Sequence, residues 1–230
     1  DSGLVVPENE WTHVALVVEP TQATIYMNSI PSTNIVDHAP EPFDAPITIG
    51  RDPNFNDRWF NGLIDEMAIW NKSLSQEEIR ATMHLTKVPT DEPELLAYYQ
   101  FNREEGIITD RVGNRHATPT SNAFRVTSTG PFGAGQSQQL LVDAGGDYDF
   151  ENADLELSFP EGGVVPNGEV VVSRLVVAPD QLPANAPVPE EGYWVINNYG
   201  DNDVFDELTS VRFTGLSDID TDQSDRYELY

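Results

Sequence analysis

The chain has 230 residues, length enough for one large or two modest domains, and no cysteine, which rules out disulfides, thiolate metal sites and cysteine catalysis. Its 39 Asp and Glu stand against 12 Lys and Arg, a formal net charge of −27, and only two of the cations are Lys. That balance excludes nucleic acid and anionic membrane surfaces as partners: phosphate binding needs clustered cations, and even the richest stretch, Arg103 to Arg125, intersperses its Arg with acids.

The hydrophobic period is mostly two, and Gly and Pro punctuate short runs throughout, which predicts an all-β fold with enough apolar and aromatic residues to build a core. In WTHVALVVE, Val14, Leu16 and Val18 share one face and Trp11, His13, Ala15 and Val17 the other, so a strand covered on both faces is expected. After a turn from Glu19 to Gln22, ATIYMNS reads as the second arm of a hairpin. A Pro-rich loop from Pro31 to Pro46 leads to a short strand, ITIGRD, and a longer one, FNGLIDEMAIWN. One short helix follows. Ser75 with Glu78 at the third position forms a capping box, and Ile79 with Met83 gives an apolar contact face. At about two turns it cannot stand on its own propensity and must pack against a sheet. ELLAYYQFN resumes the strand pattern.

A second composition begins near Pro131. After the Gly-rich PFGAGQS come QQLLVDA, ADLELSF, GEVVVSRLVVA, GYWVINNYG and LTSVRFTGL, strand-like runs at regular spacing that predict a second β-sandwich. DAGGDYDFENAD between the first two reads as a solvated turn. No run approaches the ~18 apolar residues of a membrane span. With polar residues at Asp1 and a strand-like run at Tyr230, the chain reads as a fragment or a mature piece.

The series WTHVALVVE, ATIYMNS, ITIGRD and FNGLIDEMAIWNKSLSQEEI resembles the laminin-G-like, concanavalin A-like jelly-roll domain of large secreted bacterial proteins. The resemblance is carried by Trp11, His13, Val14, Ala15, Tyr26, Asn28, Ile49, Gly50, Arg51, Gly62, Ile64, Asp65, Glu66, Leu74, Ser75, Glu77, Glu78 and Ile79, in order and at the right spacing. LLAYYQFNREEGIITDRVGNRHAT resembles an element that often accompanies such domains, and EVVVSRL with GYWVINNYG resembles a C-terminal β-domain of surface proteins of Bacteroidota-like bacteria. The resemblance implies that the jelly roll's N-terminal strands precede Asp1. It also implies a cell-surface or secreted location and binding, often of carbohydrate and often with calcium.

Asp65 and Glu66, adjacent on a predicted strand, point to opposite faces, whereas retaining glycoside hydrolysis needs two carboxyls ~5 Å apart on one face. Leu63, Met67 and Ile69 occupy the places where related jelly-roll hydrolases carry acids. No nucleophile elbow, phosphate loop or His-x-x-x-His spacing is present, and no enzyme activity is expected. Calcium takes six to eight oxygens and suits acidic loops holding Asn and Gly. Three such loops hold Asp52, Asn54, Asn56 and Asp57; Asp110 and Asn114, to which the resemblance adds Asp65 as a third ligand; and Asp218, Asp220, Asp222 and Asp225. In the last, Gln223 and Leu229 stand where the sharp-turn Gly and the closing Glu belong, and a solvated acidic linker is the competing reading. For sugar, Trp59 and Phe60 beside Arg51, and Tyr199 in NNYGDND, are candidate platforms, because sugar C–H faces stack on rings while hydroxyls take fixed polar partners. Trp194 is expected in the core.

Two β-sandwich domains are therefore expected, a laminin-G-like jelly roll over 1–125 with one short helix and a second sandwich over 131–230. The expected function is a noncatalytic extracellular adhesion or carbohydrate-binding segment of a larger bacterial surface protein, stabilised by calcium, with a glycan or another surface protein as partner. The alternatives are a structural spacer or self-associating subunit of a surface assembly, and an accessory module of a glycoside hydrolase.

Overall fold

The two-residue period becomes eleven strands, with one α-helix and one 3-10 helix among the described residues, in a computed structural model that describes 2–37, 46–55, 57–102, 106–120, 123–177 and 192–214. The fold is all-β. The chain divides into two units, one of Asp1–Gln76 with Lys87–Gly130 and the other of Glu77–Thr86 with Pro131–Tyr230.

In the first unit, β1 (Val14–Glu19), β2 (Gln22–Met27) and β3 (Ile30–Asn34) form an antiparallel meander. β3 occupies what the sequence suggests is the start of a loop. Asn28 and Ser29 both have positive φ, 47° and 67°, the requirement of the two-residue hairpin turn whose twist matches its strands. Asn28 Oδ1 accepts the His13 N–H at 2.9 Å and so ties the turn to the entry of β1. Val17 and Thr24 are buried on one face of this sheet, but Val14, Leu16 and Val18 on the other are 55%, 63% and 54% exposed, so β1 is covered on one side only and not on both. β4 (Met67–Trp70) pairs with β5 (Leu95–Tyr99), which carries most of this unit's buried hydrophobic side chains among the described residues, Leu95, Ala97, Tyr98 and Tyr99.

The longer strand expected over 60–71 is reduced to Met67–Trp70, and Glu66 at φ 51°, a left-handed conformation that breaks an extended run, marks where it starts. ITIGRD forms no strand either. Only Arg51 makes a β-bridge, to Trp59, after Gly50 turns the chain at φ 80°.

In the second unit, β6 (Gly135–Val142), β9 (Gly168–Leu175) and β10 (Tyr193–Asn198) make one sheet in the order β10-β9-β6. β7 (Gly146–Phe150), β8 (Leu155–Phe159) and β11 (Ser210–Phe213) make the other, in the order β11-β8-β7. The segment read as a solvated turn supplies β7 and the 3-10 turn Glu151–Ala153, because Tyr148 and Phe150 alternate inward. Between the sheets lies a continuous core of Val142, Phe150, Leu155, Leu157, Phe159, Val170 and Val172, with Trp194 packed against it as expected. Trp194 donates its indole N–H to Ala153 O at 2.6 Å, and its ring lies 4.6 Å from that of Phe213.

The middle strand β9 is buried on both faces. Val170 and Val172 face the core, while Val171 and Ser173 point outward and are buried too. That outer face is met by the helix α1 (Gln76–Thr82), most of which belongs to this unit. Ser137 on β6 donates to Ala81 O, Arg80 pairs with Glu169 on β9, and Gln139 donates to the same carboxylate at 2.9 Å. Ile79 is 1% exposed. Val170, Val171 and Val172 are thus apolar without alternation because both faces of the strand are covered.

Candidate functional site

The hairpin between Gly50 and Phe60 builds the most prominent exposed aromatic group. Phe60 N–H donates to Gly50 O at 2.9 Å and Asp52 N–H to Arg58 O at 3.0 Å, closing the loop on backbone bonds. Asp52 accepts from Asn54 N at 3.0 Å and from the Arg58 guanidinium at 3.2 Å, so it is bound within the turn. Arg51 lies 5.2 Å over the Trp59 ring and Arg58 3.5 Å over that of Phe55. Trp59 is 50% and Phe60 54% exposed. The sequence-derived trio Arg51, Trp59 and Phe60 is therefore brought together, with Phe55 and Arg58 as additions from the segment that the sequence presents only as an acidic loop. Among the described residues no carboxylate pairs with Arg51. Such a group can stack on the C–H face of a ring and donate charged hydrogen bonds beside it.

Tyr199 belongs to the other unit. Its ring lies 4.2 Å from the Arg80 guanidinium and its hydroxyl 3.6 Å from Met83 Sδ, so it packs under the helix that covers β9 and is not an open loop platform. Burial pushes its hydroxyl up to about 12, partly offset by Arg80.

Asp110 is 3% exposed and anchors its loop. One carboxylate oxygen accepts the N–H of Tyr98 at 3.1 Å and of Val112 at 3.0 Å, the other the N–H of Gly113 at 3.1 Å and of Arg115 at 3.2 Å. Burial pushes this carboxyl upward, but the four backbone donors outweigh it and hold it below the ordinary Asp value. Because these donors occupy the acceptor positions of both oxygens, the carboxylate does not fit the role of a calcium ligand. Asn114 is exposed, and among the described residues no group of three His, Cys, Asp or Glu gathers to hold a metal. Asp218, Asp220, Asp222, Asp225 and Asn56 lie outside the described residues.

Asp65 accepts from the Glu66 N–H at 2.9 Å and from the Ser128 hydroxyl, and burial raises its carboxyl above the usual range. Glu66 takes the Tyr98 hydroxyl, whose oxygen also accepts the Lys87 N–H at 3.0 Å. Burial, with Asp65 nearby, pushes Glu66 up to about 7, against the opposing pull of Tyr98 and Lys87, and burial brings Lys87 down to about 8. The two neighbouring carboxyls thus have separate partners. They are not an alternating pair on a strand, since the strand begins after them.

Residues 1–80 match a laminin G family model described as the concanavalin A-like lectin/glucanases superfamily. No curated protein matches the chain. An S-layer domain-containing protein of Clostridium thermocellum, solved over its residues 221–444, is similar at 26% identity with a TM-score of 0.31; the likeness covers 34% of this chain and 42% of that one.

Proposed function

We infer that this chain is a noncatalytic binding segment of a cell-surface or secreted protein and that it engages carbohydrate through the Arg51–Trp59–Phe60 hairpin. The observation that carries this reading is the exposure of both Trp59 and Phe60 on a loop closed by backbone bonds, with the Arg51 guanidinium over the Trp59 ring. The family match over residues 1–80 includes the hairpin and supports a lectin-like use of it. The noncatalytic part is supported by Asp65 and Glu66, each of which is bound to its own partners in place of flanking a shared cleft.

A glycan array probed with the whole chain and with Trp59→Ala tests this reading. The expected result is a set of glycans retained by the parent chain and lost by the variant, with no release of product from any of them. An array without hits, or hits that survive Trp59→Ala, would overturn it.

A further inference from the structure

The sheet of β1, β2 and β3 buries one face and leaves the other open, and the open face follows a pattern. Its register sets Val14 beside Met27 and Ile30, Leu16 beside Ile25 and Ser32, and Val18 beside Ala23 and Asn34. Residues opposite one another in an antiparallel ladder point to the same side, so these nine side chains form one surface of three rows. Val14, Leu16, Val18 and Ile30 are each more than half exposed, while Val17 and Thr24, a pair on the other side, are buried. None of the nine is charged, in a chain of net charge −27. Glu19, the one charged residue in the three strands, alternates to the covered side.

The surface is also uneven. The row Val14, Met27 and Ile30 is bulky, whereas Ala23 and Asn34 at the other end leave a hollow of about 160 Å³, lined by Ser2, Leu16, Ala23, Ile25, Ser32 and Asn34 among others. That matches an apolar cavity of ~150 Å³ able to take a benzene ring. One hydroxyl of its wall is already spent, since Ser32 Oγ donates to Ser2 O at 2.6 Å. Uncharged, with an aliphatic floor and that hydroxyl satisfied, the hollow suits an apolar knob and neither an ion nor a sugar.

We propose that the occupant is a second copy of this chain, packed face to face about a two-fold axis along the middle row, Leu16, Ile25 and Ser32. Such an axis exchanges the outer rows and keeps each strand over its counterpart. Met27 of each copy then stands over Ala23 of the other, the longest side chain of the face over the shortest, and Leu16 meets Leu16. The ridge that fills each hollow is thus one the chain itself carries, at the other end of the same face. No acid is buried by the pairing, and the repulsion between the two acidic copies is screened beyond ~8 Å at physiological salt. The nine side chains expose on the order of 500 Å² a copy, so a pair buries roughly the 1,000 Å² at which specific interfaces begin. So small an interface gives a weak pair. At ~1 µM the chain is single, and substitutions on this face act on association and not on the folding of one copy.

Sedimentation of the whole chain from ~1 µM to ~1 mM tests the pairing. Monomer is expected at the low end and dimer at the high end, with tighter pairing as salt is raised. Leu16→Asp sets two carboxylates against each other on the axis and should weaken pairing at least about tenfold, and Leu16→Lys likewise. An equimolar mixture of these two variants should pair at least about tenfold more tightly than either by itself, because residue 16 faces residue 16. Leu16 is exposed in the single chain, so both variants fold. Trp59→Ala should leave pairing unchanged, which separates this face from the hairpin. A chain that stays monomeric to the highest concentration would leave the face to some other partner and overturn the proposal. So would a dimer that survives Leu16→Asp, or a mixture that pairs no better than its components.

Discussion

Strands β1 and β9 carry the same message in sequence, apolar residues on both faces, and meet different fates. In β9 the inner face joins a nine-residue buried core and the outer face lies under α1. In β1 only Val17's face is buried, and Val14, Leu16 and Val18 remain open. An apolar run therefore reports what a strand can bury, whereas burial itself depends on a second layer being supplied, and for β9 that layer comes from residues 77–86, far away in sequence. The difference predicts that stability is concentrated in the second unit's core and, in the first, in a few polar anchors.

The largest effect is expected at Phe150, fully buried between the two sheets. Phe150→Ala should cost about 3–5 kcal/mol, read by denaturant unfolding followed through Trp194 fluorescence. A cost below about 1 kcal/mol would mean that this core is not where the second unit's stability resides. Next is Asp110, the buried polar anchor of the first unit. Asp110→Ala leaves four backbone donors without their acceptor and should cost about 3 kcal/mol, with Asp110→Asn retaining roughly half. Hydrogen exchange at Val112, Gly113 and Arg115 should accelerate in step. Because the folded carboxyl titrates below its ordinary 3.8, this contribution is present above that pH and is lost as pH falls through the lower folded value.

Glu66 runs the other way. Its folded value of about 7 lies above the ordinary 4.5, so the folded chain holds the proton more tightly and stability falls as pH rises from 4.5 to 7. Lys87, shifted from 10.5 down to about 8, loses its contribution as pH falls across that interval. Between pH 7 and 8 both groups are charged, and the first unit is at its weakest. Glu66→Gln should flatten the fall and raise stability at pH 7.5 by about 1 kcal/mol once solvent screening is allowed for. A melting temperature that climbs steadily from pH 5 to 7.5 in the parent chain and the variant alike would contradict this.

The all-β class, the positions of β1, β2, β5, β6, β8, β9, β10 and β11, and the helix were legible because each rests on local period and punctuation. The losses are of another kind. Glu66 in a left-handed conformation cannot be foreseen from a period of two, and it removed the strand on which the Asp65–Glu66 geometry had been judged. DAGGDYDFENAD looked solvated because its charges outnumber its aromatics, yet Tyr148 and Phe150 alone suffice to dock a strand. Of the site residues, Arg51, Trp59 and Phe60 are close in sequence and were found together.

The smallest expected effect is the sharpest test of the comparison. Leu16→Ser places a hydroxyl where 63% of the side chain already meets water, so stability should change by less than about 0.5 kcal/mol. Val172→Ser makes a smaller change in volume but buries the hydroxyl in the second unit's core, and should cost about 3 kcal/mol. The order of the two inverts what side-chain size alone would give, since Leu has more apolar surface to lose than Val. If Leu16→Ser instead cost as much as Val172→Ser, the open face of β1 would have to be covered in solution, and the two strands would differ in the source of their second layer and not in whether they have one.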